Sequence, residues 1–373
     1  MADSILEHFG ELPDPRRQAG RRHYLSDLLT IAICAVICGA DDFESMAEFG
    51  QSKWEWFKAY LKLPHGIPSH DTFRRVIAAL DPEAFERCFV SWMNALAGGS
   101  RAQVIPIDGK TLRRSFNRAS NKAAVHMVSA WAAENELVFG QLATDAKSNE
   151  ITAIPRLLEL LDLRGATVTI DAEGCQKNIA RKIVDQGGDY VLALKGNQPT
   201  MFEEVQLFLD DAINRGDKGT ALEFHQSVEG DHGRIETRRL WWTPEVDWFQ
   251  DRSQWAGLGS FAVVERERTA GGETTCERHY FISSHDQCGA EFMAHAIRSH
   301  WRVENSLHWC LDVSFGEDQC RVRIGHAPEN LSRLRRIALS LLKQETKVCK
   351  LGIKNKRLRA GWDNDYLLRV LQI

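Results

Sequence analysis

Two carboxylates in this 373-residue chain follow short apolar runs: Asp108 after Val104-Ile105-Pro106-Ile107, and Asp171 after Ala166-Thr167-Val168-Thr169-Ile170. Runs this rich in β-branched residues read as buried strands. A carboxylate at the end of a buried strand is costly unless something cationic meets it. Two of them on neighbouring strands repel each other unless a metal sits between them. Proteins hold divalent metals this way for phosphoryl transfer. The pair therefore points to a metal-dependent enzyme acting on phosphodiesters. A third acid should reach back to the two aspartates, and Glu304 is the best candidate. It shares a helical stripe with Ala294, Ile297, Trp301, Leu307, His308 and Leu311, so that face should pack against the sheet. Asp312, Glu317 and Asp318 are the alternatives, and the plainer reading of Glu304 is a surface salt bridge to Arg298, Arg302 or His308.

The elements that would position these residues begin after a helical region, residues 1–98. Leu28–Cys38 reads as a buried helix with Ser26 as its cap. After the break Pro64-His65-Gly66-Ile67-Pro68, Ser69 caps a helix over Asp71–Leu80 that carries Arg74 and Arg75. A turn, a cap and an arginine-bearing helix could form a helix-turn-helix recognition element, although a capped bundle helix is the commoner outcome. The linker Ala97-Gly98-Gly99-Ser100 then separates this region from a strand-rich one. Val104–Asp108, Ala124–Ala132 and Leu137–Thr144 read as a three-stranded meander. A helix (Ile151–Leu161), the strand to Asp171, a helix (Gln176–Gln186), a strand (Tyr190–Leu194) and a helix from Pro199 to about Asn214 follow. The order β-β-β-α-β-α-β-α, antiparallel strands first and βαβ crossovers after, is that of a ribonuclease-H-like core. Glu223–Val228, Arg234–Trp242, Gly259–Arg268 and Cys276–Ile282 form a β-rich insertion. Gly289–Leu311 then reads as one long helix, and Asn330–Lys343 as a basic amphipathic helix. The fold class is mixed α/β, with expected domains 1–98, 101–216, 217–287 and 288–373.

A net charge of −4 does not itself suggest nucleic acid, but its distribution does. From Arg321 onward there are thirteen Lys or Arg against four Asp or Glu. Arg16–His23 and Lys110–Lys122 are basic as well. Such patches suit a phosphate backbone, with solvated helix faces as the plain alternative for any one of them. Nine cysteines without a CxxC pair suggest a reduced, cytosolic chain. The N-terminus has no apolar signal region, and Leu28–Ala40 is too short to span a bilayer.

Six ordered motifs make the sequence recognisable. They are I107-D-G-K-T-L-R-R-S, T144-D-A-K-S-N-E-I-T-A-I-P, T169-I-D-A-E-G-C-Q, Y190-V-L-A-L-K-G-N-Q, D231-H-G-R-I-E-T-R and H300-W-R-V-E-N-S-L-H-W. Together they resemble the H-repeat-associated family of bacterial insertion-sequence DDE transposases, over nearly the whole chain. The resemblance implies a ribonuclease-H-like catalytic core interrupted by a β insertion before the catalytic helix. Its triad maps onto Asp108, Asp171 and Glu304, with gaps of 63 and 133 residues, the second holding the insertion. It further implies two Mg²⁺ (or Mn²⁺) ions, bridged by Asp108, with Asp171 on one and Glu304 on the other. The implied reaction is DNA strand cleavage at the element end, followed by strand transfer to target DNA. The wider superfamily surrounds its glutamate with Tyr-x2-Arg-x3-Glu-x6-Lys; here those places hold Ile297, His300 and Leu311. Arg298, Arg302 and His308 lie nearby and could substitute.

Candidate phosphate contacts are Lys110, Lys195, His232, Arg234, Arg298, Arg302, Arg74 and Arg75, and the basic C-terminal segment is expected to follow the DNA backbone. The expected partner is double-stranded DNA, with a homodimer in the DNA complex, no membrane and a cytoplasmic location. Two rivals remain open. One is a degenerate transposase that binds DNA without cutting it. The other is a carboxylate-pair glycosidase using Trp241-Trp242 as a sugar platform.

Overall fold

The computed structural model describes residues 7–98, 103–116, 123–144, 150–216, 219–231 and 234–372. Besides a single turn over Trp54–Phe57, the helices, in chain order, are α1 (Leu25–Ile37), α2 (Phe43–Ser52), α3 (His70–Ala79), α4 (Pro82–Leu96), α5 (Glu150–Leu158), α6 (Lys177–Asp185) and α7 (Pro199–Arg215). They continue with α8 (Gly289–Val303), α9 (Trp309–Phe315), α10 (Ala327–Gln344), α11 (Ile353–Trp362) and α12 (Asn364–Val370). The strands are β1 (Val104–Thr111), β2 (His126–Ala132), β3 (Leu137–Ala143), β4 (Thr167–Ile170), β5 (Asp189–Leu194), β6 (Glu223–Asp231), β7 (Arg234–Thr243), β8 (Ser260–Ala270) and β9 (Glu273–Ser283). The chain divides into two units: Met1–Ser100, Gly109–Ser148 and Glu304–Ile373 form the first, and Arg101–Asp108 and Asn149–Val303 the second.

In the first unit α1 is apolar all round and buried from Asp27 to Ile37, which makes it a core helix. Its N-cap is Tyr24, not Ser26, and Asp27 instead accepts the Leu63 backbone N–H at 3.0 Å. Asp42 and Ser45 form a capping box at the start of α2, and Asp81 with Pro82 starts α4. α10 packs against α1, α3 and α4 and is buried along nearly its whole length. The expected basic amphipathic helix is thus a core helix: Arg333, Arg335 and Arg336 are buried, not offered to solvent. Carboxylates make this tolerable. Arg333 meets Glu86 at 2.7 Å and Arg336 meets Glu317 at 3.0 Å. In the same unit β2 pairs antiparallel with β3.

The second unit is built on one mixed sheet, in the order β1-β4-β5-β9-β8-β7-β6. β1, β4 and β5 run parallel, and apart from exposed Thr111 their β-branched and leucine side chains are buried. α6 joins β4 to β5, as a parallel connection requires. The insertion strands hydrogen-bond into the same sheet, because β9 pairs antiparallel with β5 from Val191↔Ser283 to Leu194↔Tyr280. α8 covers one face of this extension, packing on β6 and β7 and reaching β4. Antiparallel β2-β3, parallel β1, β4 and β5, and intervening helices bear out the mixed α/β class and the ribonuclease-H-like element order.

Two elements depart from expectation. Strand β1 does not stop at Asp108 but runs to Thr111; only its pairing with β4 ends at Ile107. The expected helix Gly289–Leu311 is α8, then a π-helical turn (Glu304–His308), then α9. The extra residue of a π turn shifts the register of the face, so the stripe does not continue unbroken. Ile297, Leu307, His308 and Leu311 are buried, whereas Trp301 is exposed. Among the described residues, no helix is long and apolar enough to cross a membrane.

Candidate active site

Parallel pairing sets Ile107 of β1 opposite Ile170 of β4. Asp108 and Asp171 are the next residues, so the two carboxylates start from backbone positions about one strand spacing apart, ~4.8 Å. Both residues are partly buried. Burial pushes the Asp171 carboxyl above its usual range, with Glu150 adding to the rise. The N–H groups of Gly174 and Glu173 and the nearby Lys195 ammonium act the other way. Both backbone bonds go to one oxygen: the N–H groups of Glu173 (3.1 Å) and Gly174 (3.3 Å) donate to Oδ1. Gly174 has to be glycine, since a Cβ there would collide with the Ile170 side chain.

The loop after Asp171 is held from β5's far end. The Asn197 amide donates to the Ala172 carbonyl, and the Gln198 amide donates to the Cys175 carbonyl at 3.0 Å. Sequence reasoning missed these roles, although both residues stand in the K195-G-N-Q motif. Below Asp171, Thr169 shares a 3.1 Å hydrogen bond with His300 of α8, and burial pushes the His300 imidazole down to about 4.

Glu304 opens the π turn of the first unit and is exposed. Its carboxylate lies 3.4 Å from Nδ1 of buried His308. The alternative third acids are engaged elsewhere in that unit. Asp312 and Asp318 take the Lys110 ammonium at 2.5 and 3.7 Å, and Arg113 adds a 3.1 Å contact to Asp318. Glu317 is fully buried against Arg336. The three helper positions carry no strong cation: Ile297 and Leu311 are buried and His300 is bound to Thr169.

The candidate phosphate contacts scatter. Lys195 is exposed just beyond β5, and Arg234 is exposed at the start of β7. Arg302 is exposed on α8. Arg298 is tied to Glu229 of β6 at 2.5 Å, within a chain of charges that continues through Arg238, Glu236 and Arg266. Arg74 and Arg75 are exposed on α3, Arg74 paired with Asp71 at 2.7 Å and Arg75 bonded to the Asp71 carbonyl at 3.2 Å. The far end of α3 is fixed within a helical bundle by Asn330 of α10, whose amide donates to the Ile77 carbonyl at 2.8 Å. Lys110 is nearly enclosed by its two carboxylates. His232 lies outside the described residues.

Comparison with known proteins shows the family. Residues 99–341 match the family described as "Transposase DDE domain", and residues 6–93 match "DDE_Tnp_1-associated". An uncharacterised protein encoded in the 3′ region of dhlA in Xanthobacter autotrophicus is 50% identical over 74% of this chain and 93% of its own. The "H repeat-associated putative transposase YhhI" of Escherichia coli K12 is 41% identical over 98% of this chain and 97% of its own. A cryo-EM structure of a piggyBac transposase synaptic complex with hairpin DNA aligns with 99% of this chain and 78% of its own, at 10% identity and a TM-score of 0.42, too distant to carry an argument.

Proposed function

The chain belongs to the DDE transposase family with H repeat-associated relatives, and on that premise we propose that it cuts and joins DNA strands with divalent metal held by Asp108, Asp171 and Glu304. The observation that supports this reading is the parallel register of β1 and β4, whose last pair, Ile107 and Ile170, is followed on each chain segment by a carboxylate, Asp108 and Asp171. The donor set fits Mg²⁺ or Mn²⁺: carboxylate oxygens are hard ligands, and Asp171 is poised by burial to gain from a cation. Bound metal in such sites supplies Lewis-acid activation of water and of the attacking 3′-hydroxyl.

The chain's own residues orient the rest. The N–H groups of Glu173 and Gly174 fix the rotation of the Asp171 carboxylate, and Asn197 and Gln198 hold the loop that carries those donors. Lys195, exposed just beyond the adjacent strand, would meet a backbone phosphate, and exposed Arg234 and Arg302 would add further contacts. Double-stranded DNA is the partner in this reading, and two copies would bring two ends together.

The test is strand cleavage of duplexes taken from the DNA flanking the gene, with Mg²⁺ or Mn²⁺. Wild-type protein should nick and join them. Asp171→Asn or Asp108→Ala should lower the rate by about 10³-fold or more, as for removal of groups that stabilise transition-state charge. Calorimetry should show Mn²⁺ binding abolished in the same variants. A second reading has one observation in its favour, the lack of strong cations at Ile297, His300 and Leu311. It is a degenerate DNA-binding protein. Wild-type protein that binds these duplexes but never cleaves them would decide for it.

A further inference from the structure

The stretch Thr346–Trp362 carries six Lys or Arg and no Asp or Glu. The structure sorts these cations into two sets. Lys356 turns inward to the carbonyl of Leu342, and Arg357 turns inward to the Val36 carbonyl and Asp41. Arg359 lies along the Tyr366 ring and donates to the Val348 carbonyl. Lys347, Lys350 and Lys354 face solvent. So do large apolar side chains of the same stretch: Leu351 is 61% exposed, Leu358 42% and Trp362 78%. On α11, Lys354, Leu358 and Trp362 recur every four residues and so share one face of the helix.

Nearby acids are mostly spent inside the fold. Glu345 accepts the N–H groups of Lys347, Val348 and Cys349 and the hydroxyl of Tyr366. Asp363 caps α12 through the N–H groups of Asp365 and Tyr366 and lies 4.0 Å from Arg359, Asp41 is taken by Arg357, and Asp365 follows as an exposed carboxylate. An apolar cluster of this size on a free surface marks a contact site. Three lysines set around it disfavour an apolar protein groove, whereas ammonium groups on phosphates with an aromatic ring against sugar or base suit a polynucleotide.

We propose that the Lys347–Trp362 face of the first unit is a docking surface for duplex DNA, gripped through backbone phosphates by Lys347, Lys350 and Lys354 and wedged by Trp362. It rests on the transposase reading only in taking DNA as the partner, and it places the basic C-terminal contact on α11 and the loop before it, not on the buried arginines of α10.

The test uses the full chain and a short fluorescein-labelled duplex of arbitrary sequence, followed by anisotropy between about 50 and 200 mM salt. Lys350→Glu with Lys354→Glu should weaken binding at least ~10-fold and reduce the salt slope by about 2, roughly one unit for each phosphate no longer neutralised. Trp362→Ala should weaken binding by about 5-fold or more without changing the slope, with partial recovery in Trp362→Phe. Because all three side chains are exposed, melting temperatures should stay at the wild-type value. Unchanged affinity and slope in the charge-reversed protein overturns the proposal. So does sedimentation showing that these substitutions convert a dimer to a monomer while DNA affinity is kept, which would give the face to a second copy. Either failure leaves intact the prediction that Asp108→Ala and Asp171→Asn abolish cleavage, which is read separately at saturating DNA.

Discussion

Lys110 stands two residues beyond Asp108, where a lysine invites assignment to a substrate phosphate. Its ammonium instead sits 2.5 Å from Asp312 and 3.7 Å from Asp318, with only 9% of the side chain exposed. Removing it leaves partly buried Asp312 without its cation, while Asp318 keeps only exposed Arg113. Lys110→Ala should therefore cost about 1–3 kcal/mol in urea unfolding, while DNA affinity and its salt slope stay at wild-type values. A slope smaller by about 1 with stability unchanged would restore the phosphate role. Residue type discloses some roles and hides others. The placement of Asp108 and Asp171 just after the paired residues of two parallel strands was legible, because buried β-branched runs precede both. Lys110 was not, since a cation in a motif does not say which anion it serves. The same holds for Asn197 and Gln198, whose amides serve backbone carbonyls that no pattern points to.

Among the elements, β1, β4 and β5 follow from composition, because unbroken apolar runs suit a parallel sheet covered on both faces. The segment from α8 to α9 was only half legible. Its periodicity marks a helix but cannot show the π turn at Glu304–His308, which inserts one residue into the repeat, nor that Trp301, earlier on the same stripe, is exposed. The insertion strands were visible by their alternation, yet their junction with β5 depends on register between segments about ninety residues apart, as Val191↔Ser283 shows. Where α8 crosses the sheet, His300 bonds to Thr169 of β4, and burial holds its imidazole at about 4, below the usual 6.5. The folded state therefore resists a proton that the unfolded chain accepts. Stability is full above pH 6.5 and falls as pH drops through 6.5 toward 4. At pH 5 the loss should be about 1–2 kcal/mol relative to pH 7.5, read from urea midpoints. His300→Gln should flatten that window; a His300→Gln profile as steep as wild type would place the titration elsewhere.

At the scale of the molecule, the first unit is tied together by α10, which joins residues far apart in the chain. Arg333 reaches Glu86 of α4 at 2.7 Å, both side chains almost wholly enclosed, and the Gln141 N–H of β3 donates to the same carboxylate at 2.6 Å. Burial holds the Glu86 carboxyl above its usual range even with Arg333 beside it. Desolvation thus offsets much of the attraction, and the pair acts more as a fastener between segments than as a source of net stability. Glu86→Ala strands a buried guanidinium and an amide, so it should cost about 3–5 kcal/mol. Replacing both partners by apolar residues of similar size, Glu86→Leu with Arg333→Met, should recover much of that loss. If the double variant is as unstable as the single one, the pair contributes through contacts other than charge. Hydrogen exchange should show the amides of α4 and α10 opening together in wild-type protein, because the two helices cover part of each other's buried face and share the Glu86–Arg333 pair. Independent opening of α4 would mean that the segment before residue 98 folds apart from α10, and that Glu86 and Arg333 join two cooperative units instead of closing one.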